Sequence, residues 1–174
     1  MLVDLGRYTV DFSGFKILDD NNNLEQLIVS ESIELGSNII NEKIVDIIKF
    51  VYGESAIETL KKNHYYKWER MLFDIERTKI AACNRYIVNE YIKLIVEFDY
   101  LKFSNCSSLI NKKLCEKTYE GTKIKFSESE IYIKRSLIKS TVINIARNLS
   151  NKISIINNQL KNENFSKYYY DRWI

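Results

Sequence analysis

The 174-residue sequence contains no proline and only five glycines. Those residues punctuate loops and break helices, so their scarcity points to long uninterrupted elements. The only histidine is His64. Histidine-rich zinc and di-iron centres need two or more imidazoles on facing turns, so they are excluded. The cysteines Cys83, Cys106 and Cys115 form no CxxC pair. They read most simply as free thiols in a reducing cytosol, with a Cys106–Cys115 bridge as the alternative. GxxxxGK[ST], GxGxxG and GxSxG are missing. That removes the common phosphate-cradling loops and the nucleophile elbow. The opening MLVDLGRYTVDF has no basic start followed by a long apolar run, so no signal peptide is expected. No apolar stretch approaches the roughly 18 residues of a membrane span, and the expected location is the cytoplasm.

What is present is 45% hydrophobic and 13% aromatic, enough for a core without staples, and the length predicts one domain over 1–174. Ile, Asn, Lys and Tyr abound while Ala and Pro are scarce. AT-rich codons produce that bias, which suggests a low-GC bacterium, phage or virus. The net charge of +3 hides an asymmetry. Residues 1–53 carry four bases against nine acids, and the rest carries 22 bases against 14 acids. An acidic front and a basic back can attract each other within one chain, or pair copies head to tail.

The patterning predicts a mostly α, α+β fold: a β-hairpin over 1–36 packed on a bundle of about four helices over 37–174, the last of them long. In 7–18 the alternation of Tyr8, Val10 and Phe12, with a break at Gly14, reads as a bulged strand. A turn at 19–23 leads to a second strand over 24–35, where a helix is the rival. Ser37 then caps a helix over 38–52, with Ile40, Ile44, Ile47, Ile48 and Val51 inward and Gly53 as its stop. Ser55 and Glu58 read as a capping box for the next helix, which falters near 61–64. From Tyr65 to Phe103 a stripe of Ile80, Cys83, Ile87, Tyr91, Leu94, Phe98 and Leu101 predicts a central core helix, broken at most once. A short helix from Ser107 or Ser108 to Lys117 follows. TKIKF at 122–126 reads as a strand joining the N-terminal hairpin. Ser127 and Glu130 read as the cap of the last helix, 128–162. Its stripe of Ile138, Val142, Ile145, Leu149, Ile153, Ile156 and Leu160 is the cleanest periodicity in the chain.

Chemistry-bearing clusters are few. His64 sits in a Lys-Lys-Asn context and reads as a solvated helix-end residue. The acids Glu69, Asp74, Glu76, Glu90 and Glu97 are interleaved with Arg70, Arg77, Arg85 and Lys93, so they read as a salt-bridged face rather than an acid–base pair. No catalytic residue, metal or cofactor is assigned. Two candidate binding surfaces stand out. One is the C-terminal KYYYDRWI with the preceding Phe165: Phe165, Tyr168, Tyr169, Tyr170, Arg172 and Trp173 either fold back on the domain or anchor a partner. The other is the basic C-terminal half, where Lys134, Arg135, Lys139, Arg147, Lys152 and Lys161 are candidates for nucleic-acid contact.

Arg147-Asn148, on the last helix, resembles the Arg-Asn of HEPN-type ribonucleases, which place a histidine a few residues later. Asn151-Lys152-Ile153 occupies that stretch here, so the two-residue resemblance permits at most a catalytically dead HEPN-like domain, the third reading. The leading expectation is a non-enzymatic, cytosolic protein-binding regulator: an inhibitor, immunity or antitoxin-like factor with a protein partner and a possible second copy. A nucleic-acid binder is the alternative.

Overall fold

The structure is a computed structural model that describes residues 1–18, 23–84, 86, 88–96, 114–127 and 130–162. In chain order its elements are β1 (Leu2–Leu5), β2 (Val10–Ile17), β3 (Leu24–Ile33), α1 (Asn38–Tyr52), α2 (Glu54–Asn63), α3 (Tyr65–Cys83), β4 (Tyr91–Ile95), β5 (Cys115–Tyr119), β6 (Thr122–Phe126), β7 (Glu130–Lys134) and α4 (Arg135–Asn162). About 53% of the described residues are helical and 30% are strand. The fold is therefore mixed α+β, with more sheet than a mostly α protein. The described residues form two compact units: residues 1–39 together with the stretch 143–162, and those within Ile40–Val142. Among the described residues no helix is long and apolar enough to cross a membrane.

The first unit is built on an antiparallel sheet in the order β1-β2-β3. The β2–β3 hairpin forms as the alternation predicts, and its register shifts on both sides of Gly14, the expected bulge. β1 is an additional edge strand pairing Leu2–Leu5 with Val10–Ser13. Val10 and Phe12 are buried with Met1 against Ile156 and Leu160 of α4, and Leu149 and Ile153 pack on the same cluster. Apolar burial of this kind contributes about 1.5–3 kcal/mol per large side chain. The sheet leaves through Gly36, whose N–H donates to the Tyr8 carbonyl at 3.0 Å. A Cβ on Gly36 would lie 2.3 Å from the Arg7 carbonyl oxygen, so the approach needs glycine.

The second unit holds the other sheet, antiparallel in the order β4-β7-β6-β5. Its inner face is lined by the buried Ile92, Leu94, Ile124, Phe126, Ile131 and Ile133. α1 packs on it: Tyr52 meets Phe126 edge-on at 6.5 Å and donates its hydroxyl to the Ser127 carbonyl at 3.0 Å. Burial holds the Tyr52 hydroxyl well above the usual tyrosine range. α1 has the predicted bounds and the predicted buried stripe, and it stops at Gly53, where φ is 96°. A two-residue turn joins β5 to β6, with φ positive at both Glu120 and Gly121, as a type I′ hairpin requires.

Several boundaries differ from the sequence reading. α2 starts at Glu54 with no side-chain cap, so Ser55 lies inside the helix and the expected capping box does not form. The proposed core helix over 65–103 ends at Cys83, and Tyr91–Ile95 is a strand. Cys115–Lys117, the end of the expected short helix, belong instead to the strand Cys115–Tyr119; residues 107–113 of that helix lie outside the described residues. TKIKF is a strand, but it pairs with β5 and β7 rather than with the N-terminal hairpin. Glu130–Lys134 is also a strand, so the last helix begins at Arg135, not near residue 128.

Candidate functional site

The basic half of the chain spends much of its charge internally. Arg135 is only 9% exposed. Its Nε donates to the Ala82 carbonyl at 2.7 Å, and its guanidinium also reaches the Asn84 carbonyl. It thereby satisfies carbonyls left unpaired at the end of α3. Lys117 does the same at the end of α1, donating to the Val51 carbonyl at 2.9 Å. Lys134 pairs with Glu90 at 3.1 Å, and Lys152 pairs with Glu31. The last of these joins the acidic front of the sequence to its basic back inside one chain. Among the described residues Lys139 and Arg147 are exposed on α4 and make no ion pair. Of the six nucleic-acid candidates, then, Lys134, Arg135 and Lys152 are engaged, Lys139 and Arg147 face solvent, and the Lys161 side chain lies outside the described residues. The tail candidates Phe165, Tyr168, Tyr169, Tyr170, Arg172 and Trp173 also lie outside them.

The outer face of the four-stranded sheet is polar and self-paired. Lys93 contacts Glu130 at 2.5 Å, and Tyr132 donates to the same carboxylate at 2.6 Å. The Lys93 hydrogen bond, followed by that of Tyr132, holds Glu130 below the usual carboxylate range. Lys123 pairs with Glu116 at 3.2 Å. Lys125 lies over the Tyr91 ring, 4.9 Å from its centroid. Among the described residues no cluster of three or more His, Cys, Asp or Glu side chains is placed to hold a metal. His64 sits at the α2–α3 junction, where its carbonyl accepts from the Lys67 and Trp68 N–H groups.

The surface that stands apart is on α3. No glycine or proline interrupts residues 65–83, so the helix runs unbroken. Met71, Ile75, Thr78 and Ala82 recur at helical spacing and are buried. The opposite side would ordinarily be polar. Instead Tyr66, Phe73 and Ile80 stand seven residues apart at 79%, 64% and 61% exposure. Counting 100° per residue, Tyr66 and Ile80 fall within about 20° of Phe73, so the three form one ridge. On the same count Glu69 and Glu76 lie about 40° and 60° to one side, and Arg70 and Arg77 about 60° and 40° to the other. The ridge is thus apolar along its crest, acidic along one flank and basic along the other.

Local contacts brace these flanks. Glu76 contacts Lys79 at 2.7 Å and accepts from Asn41 Nδ2 at 2.9 Å. Tyr65 is hydrogen-bonded to Glu69, which holds the phenol above its ordinary range. Arg77 approaches Asp74 at 3.9 Å. Of the ion-paired face expected from the sequence, Asp74 and Arg77 meet on α3. Glu90 and Lys93 lie beyond the helix and pair with Lys134 and Glu130. Arg85 and Glu97 lie outside the described residues; the crest is not part of that expectation. A stripe that runs through Phe103 takes Ile80 into the core. Once the helix ends at Cys83, the inward phase belongs to Met71 and Ile75. The seven-residue recurrence of Glu-Arg at 69–70 and 76–77, in step with Tyr66, Phe73 and Ile80, is the signal that marks the ridge.

No protein-family model matches the chain, and no curated protein matches it in sequence.

Proposed function

We propose that this chain is a cytosolic protein-binding regulator of the inhibitor, immunity or antitoxin-like kind, acting by occupation rather than by chemistry. Its contact face is the α3 ridge. The observation that supports this reading is the row Tyr66, Phe73 and Ile80, each more than 60% exposed on one helix. Large apolar side chains exposed in a row on one helix face supply anchor points for a partner. Aromatic and arginine side chains are also the usual anchors of protein interfaces.

The test is capture from native cytosol with the intact chain and with Phe73→Glu. The variant should keep the melting temperature of dilute wild type and lose the partner. A partner retained by Phe73→Glu removes the ridge from consideration.

A second reading, nucleic-acid binding, is favoured by exposed Lys139 and Arg147 and by Lys125 over Tyr91. Retention on DNA or RNA that falls steeply with salt would select it.

A further inference from the structure

The ridge has a property that a generic contact face does not need: its two flanks carry opposite charge, in a pattern that repeats after seven residues. Such a surface can complement itself, depending on how two copies meet. If two α3 helices lie antiparallel about a two-fold axis, each flank faces its own kind. Glu69 and Glu76 then face the same acids of the other copy, and Arg70 and Arg77 face the same arginines. If the helices lie parallel, the axis runs along them and each flank faces its opposite. Glu69 then sits beside Arg70 of the second copy and Glu76 beside Arg77. Both pairs occur twice by symmetry. Along the crest Tyr66, Phe73 and Ile80 each meet themselves across the axis.

We infer that the occupant of this ridge is a second copy of the same chain, with the two α3 helices parallel and in register about Phe73. The inference rests on the reading of the ridge as a protein-binding face and names its partner. Charge selects the orientation, and the crest supplies the apolar contact. Phe73 lies at the centre, where desolvation is most complete and truncation costs most. Flanking ion pairs at such a rim set register and orientation more than affinity. The arrangement differs from a head-to-tail pairing of acidic front with basic back, because one helix supplies both signs.

Sedimentation equilibrium of the full chain over a dilution series tests this, alongside three variants at exposed positions. The wild type should be a dimer whose melting temperature falls on dilution, and Phe73→Glu should be monomeric and melt as the fully diluted wild type does. Arg70→Glu alone sets Glu69 beside a new carboxylate of the other copy at both flanks. Glu69→Arg alone sets a second guanidinium beside Arg70 at both flanks. Each should weaken the dimer about tenfold, the size of two exposed ion pairs turned into like-charge contacts. Mixing the two variants restores every opposite-charge contact and should restore the dimer. Tighter association of Arg70→Glu would overturn the parallel orientation, because only the antiparallel pairing gains from that change. A wild type that stays monomeric at every concentration overturns the self-pairing and leaves the contact face to its own capture experiment. A partner retained by Phe73→Glu in that capture, with wild type monomeric as well, overturns the face itself.

Discussion

The Arg135 guanidinium holds the carbonyl of Ala82 at 2.7 Å, fifty-three residues back along the chain. Its backbone N–H also donates to the Glu90 carbonyl at 2.8 Å. One residue therefore ties the end of α3 and the entry to β4 to the first turn of α4. Arg135→Met keeps much of the volume but strands those carbonyls. It should lower unfolding free energy by about 3 kcal/mol, from lost charged hydrogen bonds and unsatisfied acceptors. Arg135→Lys should recover only part, since an ammonium cannot reproduce the fork. Urea denaturation reads the difference. A loss below about 1 kcal/mol would return Arg135 to the nucleic-acid candidates.

Two isoleucines on one helix should respond differently to the same truncation. Ile156 is 1% exposed in the cluster with Phe12, whereas Ile145 is only half-buried. Ile156→Ala should cost about 2–5 kcal/mol and Ile145→Ala clearly less. Equal losses in thermal unfolding would contradict the burial gradient along α4.

Glu130 makes stability depend on acid. Its carboxyl titrates below the ordinary value near 4.5, first because Lys93 donates to it and then because Tyr132 does. A carboxyl depressed in the folded state stabilises fully above its unfolded value, and that contribution disappears as pH falls through the folded value. Glu130→Gln should therefore unfold at a lower temperature than wild type at neutral pH. The two melting curves should converge as pH drops below about 4. A gap that is constant with pH would mean that the pair contributes nothing electrostatic.

Gly36→Ala tests a backbone contact. The added methyl would meet main-chain atoms of Arg7 and Tyr8 at 2.3 Å, and no flexible side chain is there to move aside. Stability should fall by about 1–3 kcal/mol. Amide exchange should rise first at the Gly36, Ser37 and Asn38 N–H groups, which donate to Tyr8, Gly6 and Arg7. An unchanged exchange pattern would show that the close approach is not maintained.

α1 was legible because five apolar residues at helical spacing lie between a serine and a glycine stop, and all of that information is local. The β2–β3 hairpin was legible for the same reason, through alternation and a turn-rich link. β4 was not. Tyr91 and Leu94 fit a helical stripe while Ile92 and Leu94 fit a strand alternation, and the choice is made by pairing with β7, some forty residues later. β7 was hidden by the resemblance of Ser127-Glu130 to a helix cap, although EIYIK alternates cleanly. The α3 crest was obscured because Tyr66, Phe73 and Ile80 are apolar, and apolar residues on a helix are assigned inward by default. Only the helix's true end sets the phase that turns them outward. Arg135 looked like a surface base, since nothing local marks a side chain that closes a helix elsewhere.

The first unit draws on residues at both extremes of the described chain, with Phe12 and Ile156 in a single cluster. Ile40–Val142, by contrast, is continuous. On a ribosome all of Ile40–Val142 is made before the part of α4 that covers the first sheet. β1 to β3 emerge first but have to wait, their apolar side uncovered, for a segment translated more than a hundred residues later. Closing so long a loop is slow relative to local pairing. The order of synthesis and the order of assembly are therefore opposed in this chain: its earliest residues are among the last to reach their final neighbours.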